Sequence, residues 1–268
     1  MFGICRSRNK HEFDNKAGIT MNILDMPING YDMRQTLALI AGFLHEPKDQ
    51  RGFFRIITIN PEGVMLAQKD DEFRAAIESA DIVTPDGVGI LWAAKKLGKP
   101  MPERVTGIDL LIEIGKMAAT KGLSIYFLGA KDNYAQLAAE NLQKNCTGLY
   151  VAGYDNGYFR DREPAVIANI VATNADILIA ALGMPYQEKW LASHAENFPG
   201  MLLVGVGGSF DVLAEKVKRA PALWQKLKIE WLWRLFSEPS RIPRYMAIPR
   251  FIRAVNRQRK MTKQQNNS

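Results

Sequence analysis

The stretch Thr84-Pro-Asp-Gly-Val-Gly89 places one carboxylate, Asp86, where an apolar run stops at a proline and a glycine-rich turn begins. Proline disfavours helix in the residue before it, and the two glycines let the chain turn sharply and admit a ligand closely. A carboxylate held there can act as a general base, cap the following helix or hold ribose hydroxyls. Spacing alone leaves all three open.

Other segments offer complementary chemistry. Gly183-Met-Pro-Tyr-Gln-Glu188 sets an amide, Gln187, and a carboxylate, Glu188, in the first turn of a predicted helix. Acidic residues suit that end of a helix dipole, and the same pair suits sugar hydroxyls. Gly205-Val-Gly-Gly-Ser-Phe210 begins like a dinucleotide fingerprint, but Phe210 stands where a small residue is required, and the segment follows the last strand and not the first. It reads either as a turn presenting the N–H groups of Gly207 and Gly208 to a phosphate or sugar, or as the cofactor turn of a nucleotide-dependent oxidoreductase. Arg104 lies in a loop before a helix that Thr106 would cap, as a solvated side chain or as the cation for a diphosphate. His11, His45 and His194 have no partner spacing for a metal cluster or a triad. There is no Asp-x-Asp pair, and Asp70-Asp71 reads as surface charge on a helix. No metal or cofactor is expected.

The elements that must position these groups follow from periodicity. FFRIITI (53–59), ADIVTP (80–85), SIYFLG (124–129), GLYVAG (148–153), ADILIAALG (175–183) and MLLVGVGG (201–208) are apolar on both faces and alternate with helical patterns such as 31–44 and 64–77. That alternation predicts a mostly parallel sheet sandwiched by helices, a Rossmann-like α/β fold. Residues 22–28 predict one further edge strand, stopped by Asn29-Gly30. Ligands of such sheets bind outside the carboxyl ends of the strands. The residues there are Thr58, Asn60, Thr84, Asp86, Gly129, Gly153, Gly183 to Glu188, and Gly207 to Asp211.

At 268 residues and 47% hydrophobic, the chain can bury a large core. Two cysteines with no zinc spacing fit a reducing, cytoplasmic setting. No apolar run approaches the ~20 residues needed to span a bilayer. The charge is uneven: residues 216–263 carry a net +12 against +7 for the whole chain, which leaves −5 on residues 1–215. The expected organisation is a disordered leader over 1–21, an α/β catalytic domain over 22–220 and a basic amphipathic appendage over 221–268. Within the appendage an aromatic-rich helix is predicted around Trp224 to Phe236. Ile248, Phe251, Ile252 and Val255 then recur at helical spacing, with Arg250, Arg253, Arg257, Arg259 and Lys260 mostly off that stripe. Such a helix suits an anionic membrane surface or docking on protein, in preference to nucleic acid.

These motifs, namely Thr58-Ile-Asn-Pro-Glu62, Ala80 to Gly87, Glu103-Arg-Val-Thr-Gly-Ile-Asp109, Gly153-Tyr-Asp-Asn-Gly-Tyr-Phe159, Gly183 to Glu188, Arg219-Ala-Pro221 and Glu230-Trp231, occur in order. The chain resembles the WecG/TagA/CpsF glycosyltransferase family over roughly residues 22–250. The resemblance implies an inverting transferase that moves a hexose or N-acetylhexosamine, such as N-acetylmannosamine, from a UDP-sugar to a polyprenyl-diphosphate-linked sugar. It implies work at the inner face of a bacterial membrane, in cell-wall or exopolysaccharide assembly, by a peripheral protein of a family whose members can form homo-oligomers. It assigns Asp86 as general base with Thr58 beside it, and an appendage that touches the membrane and closes over the site. Asn60, Gly129, Gln187, Glu188 and Asp211 are then expected to bind substrate. The leaving diphosphate would be met without metal by Arg104, by Arg241 or Arg244, and by N–H groups near Gly207 and Gly208.

Overall fold

The computed structural model describes residues 20–217, 221, 224 and 246–265. It opens with two short strands, β1 (Thr20–Ile23) and β2 (Met26–Asn29), paired antiparallel with Met21 opposite Ile28. One strand was expected over 22–28. A hairpin forms because Leu24 and Asp25 take left-handed φ values of 50° and 64°, as a two-residue hairpin turn requires. It also starts at Thr20, inside the expected leader. Residues 1–19, Arg241 and Arg244, and most of the expected aromatic-rich helix lie outside the described residues.

The body continues with α1 (Met33–His45), β3 (Phe54–Ile59), α2 (Pro61–Ala67), α3 (Asp71–Glu78), β4 (Ile82–Pro85), α4 (Val88–Lys96) and α5 (Gly107–Lys121). Next come β5 (Ser124–Gly129), α6 (Tyr134–Asn145), β6 (Tyr150–Asp155), α7 (Glu163–Ala172), β7 (Ile177–Ala181), α8 (Tyr186–His194), β8 (Leu202–Gly205) and α9 (Ser209–Leu213). The long helix α10 (Ala247–Gln265) is the last described element.

Strands β3 to β8 form one six-stranded sheet in the order β4-β3-β8-β7-β5-β6, and every neighbouring pair is parallel. Their side chains alternate between two apolar layers. Ile56, Phe127, Ile179 and Val204 face α1, α5 and α6. Ile57, Ile59 and Val83 face the hairpin and α2 to α4, while Leu128, Leu178 and Leu203 pack with Trp190 and Phe198. Burial on both faces is what the continuous apolar runs required.

Two boundaries differ from expectation for local reasons. The helical pattern over 64–77 splits into α2 and α3 because Asp70 takes an extended backbone, and its Oδ1 accepts the Phe73 N–H at 2.9 Å. Asp70 is thus an N-cap, and its other oxygen lies 2.8 Å from Lys189 Nζ. Strand β6 begins at Tyr150, two residues later than expected, because Gly148 turns at φ 91°.

Helix α10 settles how its apolar stripe is used. Phe251 and Val255 are buried in the layer formed by the hairpin and α2 to α4. The Gln258 amide clasps the hairpin turn, accepting from Leu24 N–H (3.0 Å) and donating to Asn22 O (3.1 Å). Arg250, Arg253, Arg257 and Lys260 remain exposed, as does Ile252. None of the described helices is long and apolar enough to cross a membrane.

Candidate active site

The carboxyl ends of the parallel strands open into one cavity of about 1260 Å³. Thr58, Asn60, Asp86, Arg104, Gln187, Glu188, Gly207, Gly208 and Asp211 all line it. The structure thus brings together, from five separate segments, nine of the residues that the sequence singled out.

Local chemistry explains the assembly around Asp86. Its N–H donates to Ile59 O (2.8 Å), which joins the ends of β3 and β4. Gly87 takes φ 103°, a conformation that favours glycine, and α4 starts behind it with no side-chain cap. Asp86, one residue before that glycine, lines the cavity. A Cβ on Gly89 would lie 2.5 Å from Pro61, so glycine is what lets this turn pack against the Asn-Pro-Glu turn. The Arg104 loop is fastened to the same place: Val105 N–H donates to Pro85 O (2.9 Å), and Thr84 Oγ1 to Val105 O (3.2 Å).

Several polar groups turn out to hold the walls. Asn60 Oδ1 caps α2 by accepting the Gly63 N–H at 2.9 Å. Thr106 caps α5, as expected, by accepting the Asp109 N–H at 3.2 Å. The hydroxyl of Thr58 is 3.4 Å from Gly205 O, at the β3–β8 junction. Gly129 is not on the cavity wall. Its φ is 131°, and an added Cβ would strike the Ala181 carbonyl. Gly129→Ala is expected to destabilise the fold by at least about 2 kcal/mol, read as a lowered melting temperature.

Gln187 and Glu188 form a closed unit. Gln187 Oε1 accepts the Gly207 N–H, and its Nε2 donates to Glu188 Oε1, both at 2.9 Å. The Gln187 amide also fills the space over Gly205 where a side chain would stand. A dinucleotide turn needs that space and that N–H for pyrophosphate. The oxidoreductase alternative accordingly finds no support, and Gly207 is no longer available as a phosphate donor.

Burial pushes the Glu188 carboxyl up from 4.5 to about 7, against the opposing pull of its own N–H and of Gln187. The unfolded chain ionises from pH 4.5 upward while the folded one stays neutral until about 7, so this group subtracts stability progressively across that window. At 1.36 kcal/mol per unit, the loss above pH 7 amounts to about 3 kcal/mol. Glu188→Gln cannot ionise and is expected to raise stability by that order at pH 8 and hardly at pH 4.5, measured by denaturant unfolding at both values.

The far wall was not anticipated. Lys131 and Lys216 stand over the Tyr134 ring at 5.4 and 5.8 Å, and Arg160 stands over Tyr186 at 5.2 Å. Asp155 secures this loop by accepting from Tyr126 Oη and Arg162 Nη1, each at 2.8 Å. For the loop carrying Asp155 and Arg160 the signal was present in Gly153 to Phe159, but a β6 placed two residues early hid it. Among the described residues, no group of three or more His, Cys, Asp or Glu is placed to hold a metal.

Comparison with known proteins agrees with this geometry. A family model described as the glycosyl transferase WecG/TagA/CpsF family matches residues 21–265. The N-acetylglucosaminyldiphosphoundecaprenol N-acetyl-beta-D-mannosaminyltransferase of Bacillus spizizenii is 35% identical over 207 residues, 77% of this chain and 80% of the relative. Its namesake in Bacillus subtilis strain 168 is 33% identical over 215 residues, 80% of this chain and 84% of the relative. The Staphylococcus aureus strain MW2 protein of the same name is 30% identical over 243 residues, covering 91% of this chain and 94% of the relative.

Proposed function

The chain belongs to the glycosyl transferase WecG/TagA/CpsF family, and from that premise we propose that it transfers a hexose or N-acetylhexosamine from a UDP-sugar to a polyprenyl-diphosphate-linked sugar. N-acetylmannosamine as the sugar and a GlcNAc-diphospholipid as the acceptor follow from the names of its relatives. The observation that carries the reading is the placement of Asp86 on the wall of the strand-end cavity, on a turn packed against the Thr58–Glu62 segment.

In this reading the acceptor hydroxyl attacks C1 of the donor sugar in line with the bond to UDP. The new C–O bond forms as the old one breaks, the hydroxyl proton passes to Asp86, and UDP leaves with the bonding pair. A base within hydrogen-bond reach is what such an attack needs. Thr58 lies beside the reacting groups. Arg104 and the Gly208 N–H face the departing diphosphate, with Lys131, Lys216 and Arg160 across the cavity, and Asn60 and Asp211 border the substrate.

The domain reading is an α/β catalytic body with a basic appendage. Docking of Phe251 and Val255 leaves the Arg250, Arg253, Arg257 and Lys260 face for an anionic membrane surface, where each charge contributes about 1 kcal/mol. The protein would then work peripherally at the inner face of the membrane. The decisive experiment is a UDP-release screen over UDP-sugars with polyprenyl-diphosphate-GlcNAc in anionic liposomes. Acceptor-dependent release with one N-acetylhexosamine donor is expected; no release with any donor would refute the reading.

A further inference from the structure

Gln187 and Glu188 are 2% and 3% exposed, yet both line the cavity. Gln187 spends both ends of its amide inside the protein, on Gly207 N–H and on Glu188 Oε1. It is a positioning residue. Glu188 is held by that one oxygen only. Its Oε2 is screened from solvent and has no hydrogen-bond partner among the described residues. A buried polar atom left in this condition is costly, and folded proteins seldom keep one that nothing ever meets.

We propose that Glu188 reads the transferred sugar, its second carboxyl oxygen taking one hydroxyl of that sugar when the donor fills the cavity. The proposal rests on the UDP-sugar reading above and adds to it the group that recognises the sugar. Three physical points select a hydroxyl. The carboxyl has already lost its water on folding, so a hydroxyl closing over Oε2 restores a hydrogen bond without fresh desolvation of that atom. A hydroxyl both donates and accepts, and so matches Glu188 whether or not it carries a proton. A diphosphate offers only acceptors and negative charge, which an ionised carboxylate repels.

The movement required is small. Glu188 sits in the first turn of α8, with its carboxyl tethered through Gln187 to Gly207. Its last side-chain torsion is broad, so a small tilt adjusts Oε2 toward the cavity while Oε1 keeps the Gln187 amide.

The test compares Glu188→Leu with Glu188→Gln in the full-length protein. Leucine removes both oxygens. Glutamine must turn its carbonyl to the Gln187 Nε2 donor and its NH₂ to the sugar, where a hydroxyl can accept. Affinities for UDP alone and for UDP-N-acetylmannosamine, UDP-N-acetylglucosamine and UDP-glucose are measured by calorimetry, and kcat and KM with a lipid-linked acceptor.

Glu188→Leu is expected to weaken the best UDP-sugar about 10- to 100-fold while leaving UDP within about twofold, the loss of one hydrogen bond to a charged group. Glu188→Gln is expected to recover to within about fivefold of wild type. Equal weakening of UDP and UDP-sugar by leucine would mark a structural role and overturn the proposal. So would an unaffected Glu188→Leu, or a glutamine variant as defective as leucine. If wild type binds none of the UDP-sugars, the underlying reading falls and takes the proposal with it. If wild type binds and leucine changes nothing, the proposal alone falls.

Discussion

Replacing Asp86 by asparagine is expected to lower kcat with a lipid-linked acceptor by about 10²- to 10⁴-fold, the usual contribution of a positioned general base. Asparagine keeps the shape of the side chain but does not accept a proton at neutral pH. The backbone around it should hold, because the turn is set by the Asp86 N–H bond to Ile59 O, by Gly87 at φ 103° and by the contact of Gly89 with Pro61. None of these uses the carboxylate. Donor affinity, measured by calorimetry, should therefore change little while turnover collapses. Wild-type kcat in a variant with an unchanged melting temperature would remove Asp86 from the role of base.

The largest stability effect is expected from Phe251→Ala, about 3 to 5 kcal/mol, since a fully buried aromatic would leave a cavity in a packed layer. Phe251 is 1% exposed and Val255 0%, both inside the layer shared with the hairpin, α2 and α4. That layer also carries Ile59, which receives the Asp86 N–H, and Ile248 of the same helix lines the cavity. Loss of the docked helix should thus lower the melting temperature and turnover together. Thermal unfolding of the variant alone decides the first point: an unshifted midpoint would mean that α10 is not bound to the body in solution. An exposed substitution on the same helix, Arg253→Ala, should leave the midpoint almost unchanged and weaken salt-dependent liposome binding.

The body of the fold was legible because its signals are local. Each apolar run over 53–59, 80–85, 124–129 and 201–208 is a strand, and each stops at proline or glycine chemistry that any chain obeys. Asn60 and Thr106 sit directly before the helices that they cap. The split at Asp70 was missed because a hydrophobic period of 3.6 survives across a three-residue interruption, and only the extended backbone at Asp70 reveals it. Tyr158 and Arg160 were missed because a two-residue error in β6 moved its loop away from the strand end.

The sequence by itself determined the alternation of strands and helices, the carboxylate on its glycine turn and the family to which both belong, since these depend on neighbours in the chain. Tertiary structure decided the rest. Strand order placed β8 between β3 and β7, and so set Gln187 against Gly205 and Gly207, buried Glu188 and raised its pKa. It also chose what covers the tail's apolar stripe, through contacts such as that between Leu24 and Gln258, 234 residues apart. Burial and pairing of this kind are properties of which surfaces meet, and that information is not carried by any one stretch of the chain.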